Sequence, residues 1–180
     1  MPGSVFRRGE TVELWTVETD DVAFLRDLVN DPEVRAGTAV AEPLNGADER
    51  SFVESIGDDG GAQFLICVDA DPVGIVGVNA PDGTWGTAEL GYQLVPDAWG
   101  NGYATDAARE ACGYAFESRR LHKLSATVFE TNPASARVLE KVGFTEEGRL
   151  REEAFLDGEH VDVRRFGLLA DEWFDGGPDA

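Results

Sequence analysis

Two stretches of this 180-residue chain combine residue types that could hold an anion and assist a leaving group. The first reads Val95-Pro-Asp-Ala-Trp-Gly-Asn-Gly-Tyr-Ala-Thr105. A strand ends there, a loop with Gly100 and Gly102 follows, and a helix begins. A helix start leaves amide N–H groups unpaired and carries partial positive charge. The two glycines have no side chain to keep a phosphate away, so backbone alone could cradle a pyrophosphate. The same residues could equally make a tight turn with glycines at positive φ. The pattern lacks the Gly-Lys-Ser/Thr of a Walker loop and the third Gly of a dinucleotide fingerprint. The second stretch runs Glu130-Thr-Asn-Pro-Ala-Ser-Ala-Arg-Val-Leu-Glu-Lys-Val-Gly-Phe144. Asn132 is a good N-cap, Pro133 stands at N1 and Ser135 at N3. These could form a capped helix and nothing more, yet they lie at another junction of strand and helix.

Other chemistry is poorly supported. His122 and His160 have no second ligand at metal spacing, so no metal site is expected. Cys67 and Cys112 fit neither a metal pattern nor a disulfide framework and read as buried free thiols. Cys112 has no His near it in sequence, which argues against a cysteine nucleophile.

The elements that must position these residues follow from hydrophobic period and breakers. A strand is expected at Thr11 to Val17, and a helix from a cap at Asp20 or Asp21 to about Asn30, closed by Pro32. A second helix covers Ala47 to Ile56. Three strands follow: Gln63 to Asp69, Val73 to Ala80 and Thr87 to Val95, with turns at Ala70-Asp71-Pro72 and Pro81-Asp82-Gly83. A long helix with a small-residue face runs from Gly102 to about Arg119, then a strand from Leu121 to Phe129. Pro133 to Val142 is a helix stopped by Gly143. Two last strands, Thr145 to Phe155 and Val161 to Leu169, join at Asp157-Gly158. The order is that of an α/β or α+β fold, a single domain over residues 1–180 with a mixed, largely antiparallel sheet flanked by helices.

Charge narrows the partners. Asp and Glu number 35 against 15 Lys and Arg, a formal charge of −20. This argues against nucleic-acid and anionic-membrane partners. Only Lys123 and Lys141 are lysines. An evenly acidic, lysine-poor globular chain resembles the proteins of salt-in halophiles. The N-terminus has no apolar leader core, and with two free thiols the expected location is a reducing cytoplasm.

The pair VPDAWGNGYATDA and ETNPASARVLEKVGF resembles the GNAT superfamily of acyl-CoA-dependent N-acetyltransferases, nearest its RimJ/RimL-like branch, over about residues 11–170. The resemblance implies an acetyl-CoA cosubstrate and an amine acceptor, in a monomer or homodimer. It implies that the pyrophosphate lies on the amides of Gly100, Asn101, Gly102, Tyr103, Ala104 and Thr105. The pantetheine arm would run along Tyr92, Gln93 and Leu94 like an added strand, which requires the sheet to splay beside Leu121 to Phe129. Asn132 would bond that arm, a backbone N–H near Leu94 would hold the oxyanion, and Ser135 would serve the leaving thiolate. The base is the departure. Two family positions for a Glu are Thr127 and Ala154 here. Glu152 and Glu153 stand next to the latter, but adjacent strand residues face opposite sides. Glu89 is the remaining candidate; it could also be an ordinary exposed strand residue, or water could drain the proton. Glu42, Asp48, Glu49, Glu152, Glu153 and Asp157 would favour a cationic acceptor. With both carboxylates missing, a non-catalytic acyl-CoA-binding module is the alternative.

Overall fold

The strands are β1 (Val5–Arg8), β2 (Glu13–Thr16), β3 (Ala62–Val68), β4 (Asp71–Asp82), β5 (Thr87–Leu94), β6 (Lys123–Phe129), β7 (Thr145–Leu156) and β8 (Glu159–Leu169). The helices are α1 (Val22–Asn30), α2 (Pro32–Arg35), α3 (Gly46–Ser55), α4 (Tyr103–Gly113), α5 (Pro133–Val142) and α6 (Ala170–Asp175). This is a computed structural model, and it describes residues 3–38, 40 and 42–176. The eight strands form one sheet in the order β1-β2-β3-β4-β5-β6-β8-β7. All neighbours are antiparallel except β5 and β6.

Local chemistry sets most boundaries. Asn132 accepts the Ser135 N–H at 3.1 Å, Pro133 opens α5, and Gly143 ends it at φ 112°. Asp157 (φ 49°) and Gly158 (φ 91°) form the β7–β8 turn, both in the left-handed region that a tight hairpin demands. Pro32 does more than close α1. The Asp31 carboxylate accepts the Glu33 and Val34 amides at 2.8 and 3.2 Å, so Pro32 begins α2. Asp21 turns its carboxylate back to the Glu18 amide at 2.8 Å, after a 3-10 turn at Thr19–Asp21. The expected turn at Pro81 lies later: β4 continues through Asp82, whose side chain accepts the Thr84 and Trp85 amides. Strand β1 and helix α6 were not expected. The long helix changes to a π turn over Tyr114–Ser118.

Alternation sorts residues into two layers. On one face, Phe64, Ile66, Val76, Val78 and Leu90 meet Ala107, Ala108, Ala111 and Ala115 of α4 and its extension, with Leu139 of α5. Those four alanines are fully buried, which lets the helix lie close to the sheet. On the other face, Leu65, Cys67 and Ile75 meet Val22 and Leu25 of α1 and Val53 of α3. Asp106, buried on α4, accepts the Glu10, Thr11 and Val12 amides and the Thr11 hydroxyl at 2.6 to 3.1 Å, tying the β1–β2 turn to this helix. Among the described residues no helix is long and apolar enough to cross a membrane.

Candidate active site

The sheet comes apart in its middle. β5 and β6 pair only at Thr87, Ala88 and Glu89, opposite Lys123, Leu124 and Ser125. Beyond that, β5 stays with β4 to Leu94 and β6 stays with β8 to Phe129. A cleft of about 1490 Å³ fills the wedge. It is lined on both faces of the sheet, by Glu89, Gly91 and Thr127 on one and Tyr92, Ser135 and Leu139 on the other.

Strand phase decides which backbone groups of β5 are open. The Val95 amide donates to the Val73 carbonyl at 2.9 Å, which makes alternate residues Gln93, Gly91 and Glu89 the ones bonded to β4. Tyr92 and Leu94 therefore turn their amides toward the wedge. Gln93 does not, although it lines the cleft. The Leu94 carbonyl accepts the Trp99 indole N–H at 2.9 Å, so the tryptophan anchors the following loop to the end of β5.

Gly100 and Gly102 sit at φ 77° and 84°, and a Cβ at either would meet nothing. The first helical bond of α4 runs from the Asp106 amide to the Gly102 carbonyl at 3.1 Å. The amides of Tyr103, Ala104 and Thr105 precede it and have no carbonyl within the helix to bond. All three residues line the cleft with Gly100 and Gly102. This open glycine rim and its run of amides fit a phosphate-bearing cosubstrate. Asn101 does not line the cleft. Its side-chain amide donates to the Ala98 and Trp99 carbonyls at 3.2 Å each, fixing the loop from behind.

Across the wedge, the Tyr92 hydroxyl lies 2.8 Å from the Ser135 hydroxyl and donates to the Ser135 carbonyl at 3.1 Å. Burial pushes the Tyr92 phenol up to about 12, only partly offset by the Ser135 bond, so it keeps its proton at any working pH. Asn132 spends its side-chain oxygen on the Ser135 amide, and its side-chain nitrogen faces Gly37, where a Cβ would lie 3.0 Å away.

On the opposite face the Thr127 hydroxyl donates to Glu89 at 3.1 Å. Thr127 thus stands where a carboxylate was expected and holds the carboxylate that is present. Glu153 and Ala154 both line the cleft, against simple alternation. Between the pairs Leu150↔Val163 and Ala154↔Val161, β7 has three residues where β8 has one, with Glu152 at φ 53°. That bulge brings neighbours to one side. Asp48 and Glu49 also line the cleft, whereas Glu42, Glu152 and Asp157 do not. Glu49 is 5% exposed, and burial, then the nearby Asp48 charge, push its carboxyl up.

Sequence reading missed two contributions. Arg137 and Lys141 line the cleft from α5; their i, i+4 spacing in so acidic a chain was the available signal. The Tyr92 hydroxyl had none, since its partner is 43 residues away. Cys112 is fully buried and burial pushes its thiol up, so no thiolate is available there. Among the described residues no group of three or more His, Cys, Asp or Glu could hold a metal ion.

Residues 11–145 match the acetyltransferase (GNAT) domain family. The chain belongs to this family and is an N-acetyltransferase, carrying an acetyl group from acetyl-CoA to an amine. The N-acetyltransferase p20 of Bacillus licheniformis is 31% identical over 91% of this chain and 96% of its own. The spermidine N(1)-acetyltransferase of Vibrio cholerae is 29% identical over 89% and 94%. A crystal structure of spermidine N-acetyltransferase from Vibrio cholerae, in complex with CoA and spermine, superposes with a TM-score of 0.85. That protein is 26% identical, over 91% of this chain and 98% of that one.

Proposed function

We propose that the enzyme acetylates a primary amine, either a protein N-terminus or a small amine, by direct attack within a ternary complex with acetyl-CoA. The wedge carries this reading. It offers free amides at its mouth, Glu89 held by Thr127 on one face, and Ser135 beside Tyr92 on the other. An amine entering on the Glu89 face meets a thioester laid along Tyr92 and Leu94. Its nitrogen attacks the carbonyl, Glu89 receives a proton from that nitrogen, and the Leu94 amide receives the oxyanion. As the carbon–sulfur bond breaks, Ser135 donates to the departing sulfur.

Asp48, Glu49, Glu89 and Glu153 line the cleft and favour a cationic acceptor. The similarity to proteins named for spermidine supports the small-amine option. The glycine loop and α5 motif support the RimJ/RimL-like branch, and the two free buried cysteines support a reducing cytoplasm. Initial rates with acetyl-CoA and a panel of amines, both concentrations varied, test the reaction. Intersecting double-reciprocal lines are expected. Parallel lines, or tight acetyl-CoA binding with no turnover on any amine, would overturn it.

A further inference from the structure

The face of the sheet on the Glu89 side carries a paved floor. Gly77 of β4 is directly opposite Gly91 of β5, and Gln63 of β3 is directly opposite Gly77. Cross-strand partners point to the same face, so this row has one side chain and two gaps. The gaps are filled from the side. The Gln63 amide N–H donates to the Asn79 side-chain oxygen, two residues along β4 from Gly77. A Cβ at Gly77 would collide with the Gln63 amide, and one at Gly91 would lie 3.3 Å from the Asn79 amide nitrogen. The two glycines therefore let a pair of carboxamides lie flat across the sheet. Asn79 is itself opposite Glu89, and all of Gln63, Asn79, Glu89 and Gly91 line the cleft.

The pair uses one N–H and one C=O on each other. It leaves the Gln63 carbonyl oxygen as an acceptor and the Asn79 NH₂ as a donor. The second N–H of the donating amide is also left, and turning both amides over leaves the same inventory, one free NH₂, one free C=O and that N–H. Such a floor matches a molecule that itself carries a donor and an acceptor side by side. A methylene chain satisfies neither group, and a part-buried amide left without a partner is unfavourable.

We propose that the Gln63–Asn79 pair selects the acceptor, favouring amines with a carboxamide next to the nucleophilic nitrogen over amines whose nearest neighbours are methylenes. This rests on the acceptor entering on the Glu89 face, as proposed above. In an α-amino amide the C=O can take the free NH₂ and the amide N–H can reach the free C=O, while the amine stays near Glu89.

The test compares kcat/KM, expressed per concentration of unprotonated amine, for alaninamide with that for isobutylamine and for spermidine, in the wild type and in Asn79→Leu and Gln63→Met. The wild type should prefer alaninamide by about tenfold to a hundredfold, the range of two net hydrogen bonds. Each variant should bring that ratio toward one, while CoA still raises the melting temperature as in the wild type. A wild type that uses isobutylamine or spermidine as well as alaninamide overturns the proposal, whether or not the variants fold. So does an unchanged ratio in both variants. No turnover on any of the three, with CoA bound, overturns the acetyl-transfer reading as well.

Discussion

The Tyr92 phenol touches Ser135 twice, at its hydroxyl (2.8 Å) and its carbonyl (3.1 Å). This contact joins the open edge of β5 to the first turn of α5 across the wedge. Only one proton sits on the phenol, and burial keeps it there. That proton goes to the Ser135 carbonyl, so the Ser135 hydroxyl is the donor of the 2.8 Å contact and turns to the sulfur as charge develops there.

Ser135→Ala should lower kcat by roughly ten- to a thousandfold and leave the acetyl-CoA Kd within a few-fold. Charge on the sulfur appears only as the bond breaks, so its partner acts mainly in the transition state. Steady-state kinetics at saturating acetyl-CoA check this. An unchanged kcat in folded protein would make Ser135 a helix residue alone. Tyr92→Phe should lower kcat by about tenfold through the serine. The wild-type rate should show no fall near pH 10, because the phenol titrates at about 12.

Glu89→Gln should lower kcat/KM by roughly a hundredfold near neutral pH, the range of a lost general base. The deficit should shrink as pH rises through the pKa of the acceptor amine, when solvent delivers the free base. Thr127→Val should have a smaller effect in the same direction. A Glu89→Gln enzyme with the wild-type pH–rate curve would exclude Glu89 as the base.

Gly102→Asp should abolish acetyl-CoA binding. The new carboxylate would stand at the mouth of the amide rim, and φ 84° is strained for any residue with a Cβ. A ligand at a hundredfold excess over its Kd stabilises a fold by about 2.7 kcal/mol. Thermal melts should show such a shift with CoA in the wild type and none in Gly102→Asp.

Asp106→Ala should cost about 2–3 kcal/mol of stability, since it strands amides of the β1–β2 turn that a charged acceptor now holds. Burial pushes the Asp106 carboxyl up, but the bonds from Thr11, Glu10 and Val12 outweigh it, and the group titrates below the usual carboxylate range. Its contribution is therefore full above the unfolded value near about 3.9 and is lost as pH falls through the folded one. Urea midpoints at pH 7 and pH 3 should differ less in Asp106→Ala than in the wild type.

Stability should rise with KCl, as expected for a chain of net charge −20 in which salt screens self-repulsion. Equal urea midpoints at low and molar KCl would remove the halophilic reading.

Much of the framework was legible because its causes are local. The cap and stop of α5, the Asp157-Gly158 turn and the Gly100–Gly102 loop each depend on residues a few positions apart, where backbone preference and one side-chain bond decide the conformation. The same local view gave Ser135 and the amide rim their candidate roles. It could not fix the partners. Glu89 meets Thr127 across 38 residues and Tyr92 meets Ser135 across 43, and both contacts depend on strand order and on where β5 and β6 separate. A shift of one residue in β5 would exchange the faces of Glu89 and Tyr92. The bulge that brings Glu153 to the cleft and the glycine pair that makes room for Gln63 and Asn79 are likewise products of register. Sequence alone determined the family's motifs and the elements that bear them. Tertiary structure alone decided which side chains meet, because register is set by the burial of whole faces and not by any segment's own preference.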